Sequence, residues 1–390
     1  MKLPKLTVWR AIFAAIMLSG LAATYLRIFK GLGGSTNLSD RFPWGIWIGF
    51  DVMCGVGLAA GGFTLVAIVH IFNIEKYRPV LRPAILTAFL GYVLVVVGLL
   101  FDLGRPDRLW HPLVMWNPHS VMFEVAWCVT LYSTVLFLEF LPVVFQKFGW
   151  HKPMEWIHRI SVPLMILGIL LSTLHQSSIG SLYLIVPSKL YPLWYSPLLP
   201  LLFYVSAIAI GMAMTIFESW HSSRAFGRAL ELPLLASLGR VLAVTMSVYL
   251  WIRFLDLGHR DALRLLSQNR TETWLFGLEM ALMIVPTVLL YQRRIRLNPH
   301  ALYFCAVMMI FGFIANRLNV GITGLEAASG GKYFPKWSEI AVTLSIIAVG
   351  FAIFRGIAGY FPIFEEEHEH GETSAPAARE EHAEEAVSVR

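Results

Sequence analysis

The sequence predicts an all-α polytopic membrane protein of about ten transmembrane helices, and three observations carry that reading. Of 390 residues, 57% are hydrophobic and only 14% are charged, more apolar surface than a soluble domain can bury. Several windows exceed 18 apolar residues, enough to cross a hydrocarbon core of about 30 Å at about 1.5 Å per residue. The connections between them fall into two alternating sets. One set is short, basic and plain, and the other holds almost every unusual motif in the chain.

The spans are read at 9–27, 45–73, 80–101, 119–145, 157–176, 198–219, 233–256, 272–292, 300–320 and 337–362. An even number of crossings puts both termini on one side, called A, opposite side B. The start of the chain, MKLPKLTVWR and an apolar run to Tyr25, resembles a signal peptide. No small-x-small site precedes Arg27 and Lys30, so it is read as a retained first helix. FPWG (Phe42–Gly45) leads into span 2, which is rich in glycine (Gly45, Gly49, Gly55, Gly57, Gly61, Gly62). The Gly57-x-x-x-Gly61 spacing suits close helix packing, with room for a flat ligand as the other reading. Spans 3 and 4 are joined by FDLGRPDRLWHPLVMWNPHSVMFE (Phe101–Glu124). Its two Trp and three Pro predict a structured loop at a membrane surface. Span 5 ends in LHQSSIGS (Leu174–Ser181), DLGHRDAL (Asp256–Leu263) follows span 7, and FPKW (Phe334–Trp337) precedes span 10.

FDLGRPDRL and FLDLGHRDAL echo one another, as do FPWG and FPKW. The first echo suggests two four-helix bundles, spans 2–5 and 6–9, with one helix added at each end. Chance, or a shared need for an interfacial turn, explains it as well. The division expected is 1–44 (first helix and loop), 45–197 and 198–336 (the bundles), 337–364 (last helix) and 365–390. The last piece is an acidic tail of low complexity, expected to be disordered. Its His368, His370 and His382 could hold a metal loosely, and a solvated tail is the plainer reading.

The net charge of +6 hides an asymmetry, because the tail has nine Glu and two Arg and residues 1–364 carry about +13. In a membrane chain that excess reflects loops and lipid headgroups and not nucleic acid. Arg293–Arg296 (RRIR), Lys76, Arg78 and Arg82 make side A modestly the more basic, which favours A as cytoplasmic. Cys54, Cys128 and Cys305 form no C-x-x-C pair, so the chain is not expected to ligate an iron–sulfur cluster by itself.

Ionisable groups inside spans usually face a cavity or a partner. Asp51, Glu124, His175 and Glu279 are read at similar depth under side B, around a polar cavity opening there. Arg253 and Asp256 are read as an ion pair one turn apart, and Arg317 lies near the B end of span 9. Tyr92 falls mid-span, and Glu218 lies at the A end of span 6. For haem, only His70, His119 and His175 are candidates. One pair is conceivable, and the paired set of a two-haem cytochrome b is absent.

FPWGIWIGFD, FLGYVLVV–FDLGR, NPHSVMFE, LHQSSIGSL, IFES and YFPKW, in this order, resemble the membrane subunit of type-2 respiratory NiFe hydrogenases. That subunit belongs to the wider family of polysulfide reductase and NrfD membrane subunits. The match runs from about Phe42 to Pro362. The resemblance implies a quinone-reactive subunit without haem, with menaquinone or ubiquinone as exchangeable substrate. A periplasmic iron–sulfur, ferredoxin-like subunit would dock on side B, fed by the large and small subunits of a hydrogenase. Carried over by position, Tyr92, Glu124, His175 and Glu218 fall where the family moves protons. The Trp44–Asp51 segment falls where related subunits line the quinone pocket, and His119, Gln176 and Ser177 are further candidates there. The resemblance also implies a bacterial inner membrane with both termini cytoplasmic. A secondary transporter using the carboxylates as ion sites, a haem b anchor and a purely structural anchor are the competing readings.

Overall fold

The computed structural model describes residues 7–268 and 270–364; the acidic tail expected to be disordered lies outside them. Among the described residues ten helices are long and apolar enough to cross a membrane. They are α1 (Val8–Ser35), α2 (Trp47–Ile71), α3 (Glu75–Asp102), α4 (Val121–Phe148), α5 (His151–Leu182), α6 (Leu199–Phe226), α7 (Leu232–His259), α8 (Thr271–Tyr291), α9 (Pro299–Ser329) and α10 (Trp337–Tyr360). The chain is an all-α, multi-pass integral membrane protein.

Every expected span is present, and several run longer. α5 runs to Leu182, past its expected end at 176, so the whole of LHQSSIGS lies in its closing turns. Its hydroxyls explain this. Ser177 donates to Thr173 O and Leu174 O, and Ser181 donates to Ser177 O. Serines that bond back to the preceding turn do not need water. Gly180 lets α5 pass against the backbone of α6, where an added Cβ would meet Leu199 O at 2.6 Å.

Helix α2 is the hub. It is buried over 78% of its most apolar stretch, against 11% for α1 and 17% for α10. Its glycines are where neighbours come close. A Cβ at Gly57 would strike the Phe313 ring of α9 at 2.1 Å, and one at Gly62 would strike Ala88 of α3 at 2.6 Å. From the other side, a Cβ on Gly211 of α6 would meet the Ala60 backbone at 2.8 Å. Close packing is therefore what these glycines do. The same helix is irregular, with π-helical turns at Trp47–Val52 and Ala67–Ile71 and a break at Ala59–Ala60. Gln176 of α5 donates to the Val56 carbonyl at 3.0 Å, just before that break.

Helix α4 packs along α5, α6 along α7 and α9, α8 along α9, and α1 along α10, which also touches α3. One apolar core runs through α2 to α9. On side B the FPWG and YFPKW segments meet. Phe42 stacks on Tyr333 with centroids 5.0 Å apart, and the Tyr333 hydroxyl accepts from Ile46 N at 2.9 Å. It donates to Glu339 Oε1 at 2.5 Å. Arg27 of α1 donates to Phe101 O and Leu103 O, each at 2.7 Å, satisfying carbonyls at the end of α3. The loop after α3 is ordered as expected, with Trp127 of α4 donating to Pro112 O at 2.8 Å and Trp116 packed on Trp127 at 5.0 Å.

Candidate functional site

The buried ionisable groups sort into three separate places, so the single polar cavity under side B is not what forms. Helices α2 and α3 stand between the groups, and each group takes its surroundings from a different set of neighbours.

The first place is the seam of α3, α4 and α5. His175 is fully buried, and its ring lies 5.6 Å from that of Tyr92. Tyr92 in turn is edge-on to Tyr132 at 4.7 Å. Ser172, one turn before His175, neighbours both tyrosine hydroxyls, and Gln176 neighbours Tyr92. Yet Tyr92 Oη, Tyr132 Oη, Ser172 Oγ and both His175 ring nitrogens lack a well-formed bond to any group of the chain. A bare buried polar atom costs about 1–3 kcal/mol, so the weak bonding at this seam sets it apart from the fully bonded network around Glu279. Towards side B, Ser178 Oγ sits between Glu124 Oε1 at 2.6 Å and Leu174 O at 2.7 Å. Glu124 is not the deep, buried charge expected. It occupies the first turn of α4 and is exposed, because the helix begins at Val121, held by the Ser120 cap.

The second place is an apolar crevice of about 640 Å³ between α2, α3, α6, α9 and α10, with Asp51, Leu94, Glu218, Phe311, Ile347 and Arg355 among its lining. Exposed Phe311 and Phe351 flank its mouth. Its α10 wall, from Ile346 to Arg355, is about 14 Å long by helical rise. Towards side B it ends on Asp51, which accepts from Thr343 Oγ1 of α10 at 2.8 Å. Gly98 makes room there, since a Cβ would meet Asp51 at 2.8 Å. Towards side A it reaches Glu218, which accepts from Thr87 Oγ1 of α3 at 2.6 Å. Glu218 also lines a separate pocket of about 480 Å³ with Pro79, Pro83, Arg228 and Glu231.

The third place is a closed network in the second half of the chain. Glu279, fully buried, accepts from Trp194 Nε1, Asn316 Nδ2 and Asn319 Nδ2, each at 2.8 Å. Arg317 donates to Asn316 Oδ1 at 2.7 Å and Ser206 Oγ at 2.8 Å, and lies 3.6 Å over the Phe203 ring. Each of these groups is satisfied, which identifies a structural core. The expected Arg253–Asp256 pair does not form. Asp256 binds Arg260 at 2.7 Å, four residues on, and Arg253 instead donates to Leu193 O at 2.7 Å.

Other expected residues part company. Trp44 faces Tyr183 at 6.2 Å, whereas Asp51 faces α10, so the two do not line one pocket. Trp44 precedes the helix, whereas Asp51 lies in its first, π-helical turn. His119 is exposed in the loop, away from His175. Ser177 bonds only within its own helix, and Gln176 is spent on the α2 backbone. One residue was missed. Glu139 lies in the apolar run of α4, half-buried, with Oε1 near Gly168 of α5. A lone carboxylate between Leu138 and Phe140 was visible in the sequence as its signal.

The fold and these buried groups define a helical membrane protein with ionisable side chains within its spans. Residues 34–327 match the family described as "Polysulphide reductase, NrfD", and the chain belongs to that family. It is 37% identical over 362 residues to a protein of Nitratidesulfovibrio vulgaris (90% of this chain, 93% of the other) described only as "Protein". It is 32% identical over 358 residues to the "Probable Ni/Fe-hydrogenase 2 b-type cytochrome subunit" of Escherichia coli (90% and 91%). It is 29% identical over 399 residues to the "Menaquinone reductase, integral membrane subunit" of Nitratidesulfovibrio vulgaris (94% and 94%).

The words "b-type cytochrome" raise haem, which the residues present do not fit. His175 is the one buried histidine among the described residues, and its ring neighbour is Tyr92 rather than a second imidazole. A bis-histidine site has no second ligand there.

Proposed function

We propose that the chain is the quinone-reactive membrane subunit of a respiratory hydrogenase-type complex in the bacterial inner membrane. In this reading side B is periplasmic and both termini are cytoplasmic. An iron–sulfur, ferredoxin-like subunit docks on side B and receives electrons from the large and small subunits of a NiFe hydrogenase. Menaquinone or ubiquinone is the exchangeable substrate, bound with its ring towards Asp51 and its isoprenoid tail along the crevice. The observation that carries the reading is that crevice, apolar along its length and closed by a carboxylate at its side B end. Family membership and the names of the relatives support it.

Reducing a quinone takes two electrons and two protons. The electrons come from the partner, since Cys54, Cys128 and Cys305 are buried singly on α2, α4 and α9. The protons are handled by carboxylates and the imidazole of His175. Glu218 meets water at side A through the pocket it lines and shares the crevice with Asp51, while Glu124, His175 and Tyr92 are a second proton-handling set on the α3–α4–α5 seam, off the crevice. Electrons arriving from B and protons from A make turnover electrogenic. Asp51 and Thr343 orient the ring; Gln176 ties α5 to the α2 backbone, while Trp44 and Ser177 lie outside the crevice lining. The two-bundle division belongs to the same proposal, with the crevice at the seam between the halves.

The test purifies the complex through this chain and assays hydrogen-driven reduction of a short-chain quinone. Iron–sulfur proteins should co-purify. Asp51→Asn should lower kcat/KM about tenfold or more, a loss of about 1.4 kcal/mol for each factor of ten, with Thr343→Val giving a smaller loss of the same kind. Wild-type kcat and KM in both variants would remove the crevice as the quinone site.

A further inference from the structure

The pocket of about 480 Å³ at side A does more than border Glu218. Its walls come from the start of α3, the last turns of α6 and the α6–α7 connection, with Pro79, Ser223, Arg228 and Glu231 among them. Phe364 lines it too, and is the last described residue before the acidic tail. The chain is held tightly where it arrives there. Ile363 is buried, Arg82 of α3 donates to Pro362 O at 3.4 Å, and Phe364 packs on Phe226 at 5.3 Å. The Arg228 guanidinium lies 4.7 Å over the Phe364 ring. Two cations thus flank the chain at the edge of the pocket, and the residues that follow at once are Glu365, Glu366, Glu367, His368 and Glu369.

Five extended residues span about 16 Å, enough to cross a pocket of this size. Carboxylates tethered beside two guanidiniums meet them at high effective concentration, so even weak surface pairs hold them. Glu218 and Glu231 add negative charge to the walls, which draws the segment to the Arg82–Arg228 edge and not deeper in. Glu218 and Ser222 line both this pocket and the crevice, so whatever covers the pocket stands between side A water and Glu218.

We propose that residues 365–369 dock across this pocket and close Glu218 off from side A water. The docking stands on the geometry and charge of the pocket, and its effect on turnover rests on the quinone-reducing reading above. The cover is held by charge, so salt loosens it. At low ionic strength it slows proton uptake by Glu218, and at high ionic strength it lets go.

The first test uses the purified full chain in nanodiscs, without turnover. Ser223→Cys places a thiol on the pocket wall, while the native Cys54, Cys128 and Cys305 are buried. Its reaction with an uncharged, water-soluble maleimide should speed up about fivefold when Glu365→Gln, Glu366→Gln, Glu367→Gln and Glu369→Gln are made together, and by a similar factor for the wild-type tail in about 1 M salt. Rates that neither change moves would overturn the docking. A rate that rises only when lipid is exchanged for detergent would place a lipid headgroup in the pocket, and would overturn it equally. A carbodiimide should join residues 365–369 to the amine introduced by Arg228→Lys at low salt, and the absence of that link would overturn the site. The second test uses the whole complex in vesicles at low salt, where the four Glu→Gln changes should raise hydrogen-driven quinone turnover about twofold. Faster labelling with unchanged turnover would overturn the shielding of Glu218. A wild-type complex that reduces no quinone would count against the function proposed above, and the labelling and coupling results would still decide the docking.

Discussion

Two buried polar groups show what a single residue reveals. Glu279 and His175 are both fully buried, yet one has every bond made and the other has none. Removing Glu279 would strand three donors, from Trp194, Asn316 and Asn319. Glu279→Ala should therefore destabilise the chain by about 3–5 kcal/mol, read as a drop in the thermal midpoint in detergent; a midpoint within a degree or two of wild type would refute that role. His175→Ala removes atoms that bond nothing in the chain, so it should affect quinone-linked turnover far more than stability. Sequence reading placed the two at similar depth, because both were ionisable residues counted in from the same face, and only the resemblance set His175 apart. Depth follows from counting residues, whereas satisfaction depends on Trp194, Asn316 and Asn319, which come from distant segments and carry no local signal. The same gap explains Glu124, whose burial was inferred from a helix start two residues too early. It also explains why Arg253 was paired with Asp256 when Arg260 offered the better approach.

At the scale of the element, the ten helices were legible because length and hydropathy decide membrane spans almost alone. Their ends were less so. α5 ran on through LHQSSIGS because serine satisfies itself inside a helix. The irregular register of α2 was not legible at all, nor was its start at Trp47, which leaves Trp44 in the preceding loop while Asp51 sits in the helix. The connecting segments hold a testable device in Tyr333, which lies outside the spans. Burial, and then its bond to Glu339, push its hydroxyl above the usual tyrosine range. The folded chain thus keeps a proton that the unfolded chain releases near pH 10. The stability this hydroxyl contributes is intact below about pH 10 and is lost as pH rises above it. Tyr333→Phe should cost about 1–3 kcal/mol at neutral pH through the stranded Ile46 amide. It should also flatten the fall in thermal midpoint between about pH 9 and pH 11; an identical fall in both proteins would rule this out.

For the whole molecule, the decisive feature is how closely α2 and α6 cross. Gly211 sits against the backbone of Ala60 and Gly61, where no side chain can yield. Gly211→Ala should push the helices apart and cost about 1–3 kcal/mol, with lower yield of folded protein, and an unchanged thermal midpoint would show that the crossing is looser than described. The glycine stripe of span 2 predicted such packing correctly, though not which partners it would meet. The FPWG and FPKW segments, which echo one another in sequence, lie against each other in space.

The pairing of α1 with α10 has a consequence for how the protein is made. Of the ten spans, the one that leaves the ribosome earliest rests on the one that leaves it last. Ser338 of α10 donates to Ser35 O of α1, and Lys336 donates to Gly34 O at 2.8 Å. During synthesis α1 must wait in the lipid, without its main neighbour, until nearly the whole chain has been inserted. Thr343, which completes the surroundings of Asp51, arrives with that same final helix. A chain cut short before α10 would hold nine of the ten spans and still have an unfinished carboxylate site.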